Sequence, residues 1–138
     1  MATFNKFNPF VEHLAEKVHN LGSDALKVAL TNTLPTATNG VFAEITEIAA
    51  GGGYTAGGAA ATITSSVQTA GVYKLVLADV VFTATGTLGP FRAAVLYNST
   101  AAAGNLIGWW DYGSSLTLNT GETFTVDYDP TTGVLTIT

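Results

Sequence analysis

The chain contains no cysteine. This absence excludes disulfides, thiolate metal sites and a cysteine nucleophile, so packing and hydrogen bonds must hold the fold together. Charged residues are also scarce, at 11% of the sequence, which is less than half of the usual fraction of about 25%. The five Lys and Arg residues are scattered along a chain of net charge -5, so no basic stripe is available to neutralise phosphates. We therefore expect no direct binding of nucleic acid.

Long apolar runs are missing as well. The first segment, MATFNKFNPFVEHLAEK, has no basic stretch followed by the apolar run of about 7–15 residues that a secretory signal requires. No stretch approaches the roughly 18 consecutive apolar residues of a membrane span. We therefore expect a soluble protein that is made inside the cell and does not contact a membrane.

A short amphipathic helix is predicted near the N-terminus, at about residues 9–20. Asn8 is suited to cap the first free amides, and Pro9 fits the first helical position. The apolar residues that follow share one helical face: Phe10, Leu14 and Val18. His13 and His19 are the only histidines, and they point in different directions on such a helix. We expect both on the surface, without a shared metal ion.

The rest of the chain has the pattern of strands separated by turns. Leu26, Val28 and Leu30 alternate with other residues, which predicts a half-buried strand over residues 25–32. About eight strand-like segments occur at turn-separated spacings, which is typical of a sandwich or barrel. We predict one mainly β domain over residues 1–138, an antiparallel, jelly-roll-like β-sandwich with the helix at its N-terminus.

One strand-like segment, residues 72–85, changes its apolar register. The alternation that begins at Tyr73 slips by one residue at Ala78-Asp79 and resumes at Val80. Such a slip predicts a bulge or a bend. Bends of this kind are common where a chain passes from one sheet of a sandwich to the other.

The stretch from Phe91 to Tyr112 is predicted to form a central hairpin of two apolar strands. Its second strand carries both tryptophans, Trp109 and Trp110, which point to opposite faces. That strand is therefore apolar on both sides, and both sides need a cover. We expect the second sheet to cover one side, and either the N-terminal helix or a neighbouring subunit to cover the other.

The glycine-rich segment GGGYTAGG, residues 51–58, raises the question of a phosphate-binding loop. Such a loop needs a strand before it, a helix after it and usually a lysine. Here an Ala- and Thr-rich strand follows, and no basic residue is near in the sequence. The segment instead predicts a turn anchored by Tyr54.

Four carboxylates are the best candidates for chemistry: Asp111, Glu122, Asp127 and Asp129. Two carboxylates would suit glycoside hydrolysis, and a closer group of oxygens would bind calcium. Asp127 and Asp129 lie on a predicted solvent face, where carboxylates commonly keep a sheet soluble. A hydrolase that uses Asp127 or Asp129 is thus the weakest hypothesis, and we predict no enzyme, no cofactor and no metal site.

Five segments carry a resemblance to a known family: FVEHLAEKVHNLGSDALKVALTNT, ITEIAAGGGYTAGG, YKLVLADVVFTATG, GPFRAAVLYN and LIGWWDYGSSLTLNTGETFTVDYD. Over nearly its whole length the chain resembles small virion proteins encoded by tailed double-stranded DNA bacteriophages. The resemblance carries over no catalytic residue. It implies a structural role, foremost that of a decoration or cement protein on the outside of the capsid, made in the cytoplasm of the host bacterium.

The resemblance also implies partners. A decoration protein would assemble with itself, as a trimer, and with the major capsid protein, whose neighbouring subunits it would bridge. Two alternatives stay open. One is a component of the neck or tail, and the other is a module that binds host glycans through the aromatic and acidic residues between Trp109 and Tyr112.

Four apolar residues are candidates for the interface with such partners: Phe4, Phe7, Ile107 and Trp109. Phe4 and Phe7 precede a helix that already has an apolar face of its own. Burying one such side chain contributes roughly 1.5–3 kcal/mol, and symmetry would multiply that contribution. The alternative is intramolecular, with both phenylalanines packed as staples against their own chain.

Overall fold

A computed structural model describes residues 2–138 of the chain. Within these residues it contains ten β-strands and one α-helix, and all strand pairs are antiparallel. The strands are β1 (Phe4–Lys6), β2 (Leu26–Thr31), β3 (Ala59–Ala61), β4 (Ile63–Thr69), β5 (Val72–Leu77), β6 (Val80–Thr83), β7 (Leu88–Asn98), β8 (Leu106–Leu118), β9 (Thr123–Val126) and β10 (Leu135–Ile137). The helix α1 spans Pro9–Ala15, and a 3-10 turn spans Phe42–Glu44. The prediction of a mainly β, antiparallel fold is confirmed.

The strands form three sheets, and the predicted hairpin is at the centre of the largest. The five-stranded sheet has the order β1-β8-β7-β2-β3, the second sheet is β10-β5-β4, and the third is β6-β9. In the hairpin, Ala94 of β7 lies opposite Trp110 of β8, and Val95 lies opposite Trp109. Buried side chains from all three sheets and from α1 form one hydrophobic cluster.

The second strand of the hairpin is longer than expected. The sequence predicts a hairpin that ends at Tyr112, but β8 continues to Leu118, which pairs with Leu88 at the start of β7. Gly113 has a φ of +100°, a conformation that glycine adopts without a steric penalty. Register shifts around Phe91 show that the hairpin is bulged here, and bulges bend a strand while leaving it paired.

The predicted change of sheet at Ala78-Asp79 is confirmed. The strand β5 ends at Leu77 and pairs with β4 and β10, whereas β6 begins at Val80 and pairs with β9. A similar change occurs at Thr62, between β3 and β4. There β3 pairs with β2 and β4 pairs with β5.

The strand β2 is confirmed, but it is not half-buried. Five of its six residues are buried, and Lys27 is the exception. Tyr54 packs against this strand. Its ring is buried, and its hydroxyl accepts a hydrogen bond from the backbone N–H of Leu30 (3.1 Å). The same hydroxyl donates to Oε2 of Glu47 (2.6 Å). The glycine-rich segment is therefore the predicted turn anchored by Tyr54.

Gly58 is a position in this turn at which only glycine fits. A β-carbon on Gly58 would collide with the carbonyl oxygen of Val28. Its φ of +84° is also unfavourable for other residues. The turn thus comes too close to β2 to accept a side chain at this position.

The helix is shorter than predicted, since it ends at Ala15 rather than near residue 20. Lys17 has a φ of 68°, its N–H donates to the carbonyl oxygen of Leu14 (3.3 Å), and the N–H of Val18 donates to that of His13 (2.8 Å). These two hydrogen bonds form a Schellman motif, which terminates a helix with a left-handed residue. The chain therefore reverses before residue 20, where the sequence predicts the end of the helix.

Candidate functional site

A groove of about 440 Å³ lies between the β7–β8 hairpin and β9. Six side chains give it its chemical character: Arg92, Trp110, Tyr112, Phe124, Thr125 and Asp127. Sites for small molecules have volumes of about 300–1,000 Å³ and combine apolar walls with a few polar groups. This groove matches both properties and is the candidate functional site.

Aromatic side chains form the walls of the groove. The ring of Trp110 packs between Phe4, at a centroid distance of 5.3 Å, and Tyr128, at 5.4 Å. Tyr112 contacts Phe124 at 5.8 Å with the ring planes 81° apart, an edge-to-face geometry that such rings favour. Tyr112 nevertheless keeps 55% of its surface exposed. An aromatic surface is thus open to solvent beside a fixed tryptophan.

An ion pair lies at one side of these rings. Nε of Arg92 donates to Oδ1 of Asp111 (2.8 Å), and Nη2 donates to Oδ2 (3.0 Å). This hydrogen-bonded pair holds the pKa of Asp111 below its usual value and raises the pKa of Arg92, and the N–H of Gly113 also lowers the pKa of Asp111. The two-point contact fixes the plane of the guanidinium group and leaves three of its five N–H donors for other partners.

The acidic residues that the sequence singles out have separate roles. Asp129 accepts hydrogen bonds from the N–H groups of Thr131 (2.7 Å) and Thr132 (3.3 Å), and the Thr131 bond is the main cause of its lowered pKa. Glu122 accepts from the N–H of Asn119 (2.6 Å). Asp127 is exposed and lines the groove. Within residues 2–138 no three His, Asp or Glu side chains form a group that could hold a metal ion.

The expectation of two surface histidines is wrong for His19, which is only 4% exposed. Because the chain reverses at Lys17, the ring of His19 turns inward and lies 5.2 Å from that of Phe10 and 6.1 Å from that of His13. Burial is the main cause that lowers the pKa of His19 to about 4, with a smaller contribution from His13, while Asp24 acts in the opposite direction.

Hydrogen bonds determine which ring nitrogen of the neutral His19 carries the proton. Oδ1 of Asn98 accepts from the N–H groups of Thr100 (3.0 Å) and Ala101 (3.2 Å). The amide nitrogen of Asn98 therefore donates both to Oδ2 of Asp24 (2.7 Å) and to Nδ1 of His19 (3.1 Å). Nδ1 must be an acceptor, so the neutral ring carries its proton on Nε2, which is buried and has no partner in the described part of the chain.

The four candidate interface residues fall into two groups. Phe7 and Ile107 have 0% of their surface exposed, and the ring of Phe7 packs on Trp109 at a centroid distance of 4.6 Å. These two side chains have no surface left for a partner, so the intramolecular alternative replaces the predicted contact. Phe4 and Trp109 are half-buried, and their role in an interface stays a prediction.

Sequence reasoning pointed to the region from Trp109 to Tyr112 but missed Arg92 and Phe124. Phe124 belongs to β9, which only the tertiary fold brings to the hairpin, whereas Arg92 lies on β7, the other strand of the hairpin itself. A weak signal was present for Arg92, because it is one of five cationic residues and the one charged residue of β7. A buried or half-buried cation needs a carboxylate, and Asp111 supplies it.

Comparisons with other proteins give no further constraint. No protein-family model, no curated protein and no solved structure matches the chain. Among residues 2–138, no helix has both the length and the apolar character needed to cross a membrane.

Proposed function

We propose that this protein is a structural component of the virion of a tailed double-stranded DNA bacteriophage, and specifically a decoration protein that binds the major capsid protein on the outside of the head. It acts as a trimer and bridges neighbouring capsid subunits. The proposal includes the packing of its three antiparallel sheets as a jelly-roll-like sandwich, an architecture that recurs in capsid proteins. The resemblance of its sequence to small virion proteins supports the proposal.

The free edge of β4 is the observation that carries an assembly role. This strand of seven residues is at the end of the order β10-β5-β4 and pairs only with β5 in the described chain. No charged residue occurs from Ile63 to Tyr73, and Val67 is 53% exposed. Proteins that stay monomeric protect such edges with charges, prolines or bulges, because an open edge pairs with other chains. β4 has one bulge, between Ile63 and Ser65, but the edge from Ser66 to Thr69 carries no charge and no proline. This part of the edge suits a protein whose role is to bind other subunits.

Labelling of virions tests the location. An antibody against this chain should label the head of purified particles, and electron cryomicroscopy should show density outside the capsid shell that disappears when the gene is deleted. Labels confined to the neck or tail would contradict the decoration role and support the alternative of a neck or tail component.

Substitution of Val67 by lysine tests the edge. The charge should leave the monomer folded, because Val67 is exposed, but it should lower the occupancy on capsids at least about tenfold by blocking strand pairing. Val81→Lys is the matched control, since Val81 is 55% exposed and lies on β6. If Val67→Lys particles carry as much protein as the control particles, β4 is not the assembly edge.

A further inference from the structure

We infer that the groove between the β7–β8 hairpin and β9 is a binding site for a neutral sugar in the pyranose form. This function goes beyond attachment to a capsid, because the residues of β4 do not line the groove. Three properties of the groove carry the inference: an open aromatic surface, hydrogen-bonding groups of both kinds, and a charge balance that disfavours ionic ligands.

The aromatic surface suits the apolar face of a sugar ring. The faces of aromatic rings carry partial negative charge, and the C–H groups on one face of a pyranose carry partial positive charge. Tyr112 is more than half exposed although Phe124 contacts it. Trp110, held by Phe4 and Tyr128, adds a second ring that ligand binding does not need to reorder. Rigid rings of this kind reduce the entropy that is lost on binding.

Sugar hydroxyl groups need both donors and acceptors beside the stacking surface. Arg92 supplies donors, because the contact with Asp111 uses only two of its five N–H groups. The carboxylate of Asp127 supplies acceptors, and it has no hydrogen-bond or salt-bridge partner within residues 2–138. A hydroxyl group can accept from the guanidinium and donate to the carboxylate, so neighbouring hydroxyls would use both groups.

The charges of the groove select a neutral ligand. The charge of Arg92 is balanced by Asp111, and Asp127 together with the net charge of -5 disfavours acidic sugars and phosphates. A cation would find only one free carboxylate, that of Asp127, because Asp111 is already paired with Arg92. A neutral, hydroxylated ligand is the class that uses all of these groups at once.

Saturation-transfer NMR on the full chain provides the test. The probes are maltotriose, lactose and N-acetylchitotriose, each at millimolar concentration, together with an uncharged Ala-Thr octapeptide as a non-sugar probe. We expect saturation of the ring protons of at least one sugar and none of the peptide. Tyr112→Ala should raise the Kd of that sugar about tenfold by removing the open ring. Asp127→Asn should also raise this Kd.

The control is Val11→Ala, which removes a similarly exposed apolar side chain (51% exposed) from α1, away from the groove, and should bind the sugar as the unmodified chain does. No saturation of any sugar, unchanged affinity of Tyr112→Ala, or saturation of the peptide alone would each overturn the inference. Occupancy of Tyr112→Ala on capsids is measured in parallel. Normal occupancy with lost sugar binding separates this site from the proposed assembly role.

Discussion

The hydroxyl group of Tyr54 accepts a backbone hydrogen bond that a neighbouring strand would otherwise accept. The pairing of β3 with β2 ends at Val28 opposite Ala59, so the next N–H on that edge, at Leu30, has no strand partner there. It donates instead to the Tyr54 hydroxyl. Because Leu30 is fully buried, the substitution Tyr54→Phe would leave a buried N–H group without a partner. The ring stays in place, so no cavity forms.

The cost of this substitution follows from the geometry. An unsatisfied buried donor costs about 1–3 kcal/mol. Glu47 also loses the 2.6 Å hydrogen bond from Tyr54, although the N–H of Gly57 (2.9 Å) still donates to the same oxygen. We therefore expect a loss of about 1–3 kcal/mol in the free energy of unfolding. For a domain of this length each kcal/mol lowers Tm by about 4 °C, which gives a fall of about 4–12 °C.

Urea titration and thermal unfolding measure this change against Tyr112→Phe as the control. The control removes the same hydroxyl from an exposed ring, so its free energy of unfolding should stay within about 0.5 kcal/mol of the original. Hydrogen exchange of the Leu30 amide should become faster in Tyr54→Phe alone. Equal stability of the two variants, with unchanged exchange at Leu30, would show that the hydroxyl does not support β2.

Two further predictions concern the N-terminal third of the chain. Phe7→Ala should destabilise the fold by about 3–5 kcal/mol in urea titration, because it removes a fully buried ring. Phe4→Ala should cost clearly less, because Phe4 is only half-buried. A larger loss for Phe4→Ala than for Phe7→Ala would contradict the packing of Phe7 on Trp109. The pKa of His19 is lowered from 6.5 to about 4 in the folded chain, so below pH 6.5 the unfolded state binds a proton that the folded state refuses. The free energy of unfolding should therefore be highest above pH 6.5 and fall between pH 6.5 and 4, and His19→Gln, compared in urea titrations at pH 7.5 and 5.5, should lose most of that dependence; a profile equal to that of the original chain would contradict it.

The sequence was most informative where two local signals agreed. The hairpin combined two apolar strand-like runs with both tryptophans in its second strand, and the slip at Ala78-Asp79 marked the change of sheet directly. The change at Thr62 left no such mark, because alanine and threonine around it tolerate either face. The end of α1 was missed since Lys17, not a glycine, adopts the left-handed conformation.

The groove could be predicted only in part, for a related reason. Periodicity locates the faces of one strand, so it places Trp110 and Tyr112 on the same side of β8. It does not determine which other strand approaches that side. Phe124 and Asp127 reach the groove because β9 pairs with β6, which in turn depends on the bend after β5. The composition of a site that is built from separate strands follows from topology, and topology is the least local property of a β fold.

The free edge of β4 and the aromatic groove belong to different sheets, and this separation has a functional consequence. The edge strand belongs to the sheet β10-β5-β4, while the groove lies between the hairpin of the five-stranded sheet and β9 of the third sheet. Val67 does not line the groove, and the groove residues do not belong to β4. Pairing of β4 with another subunit therefore uses none of the groups that would hold a sugar. The proposed contact with other subunits and the proposed sugar site would thus use different sheets of the same chain.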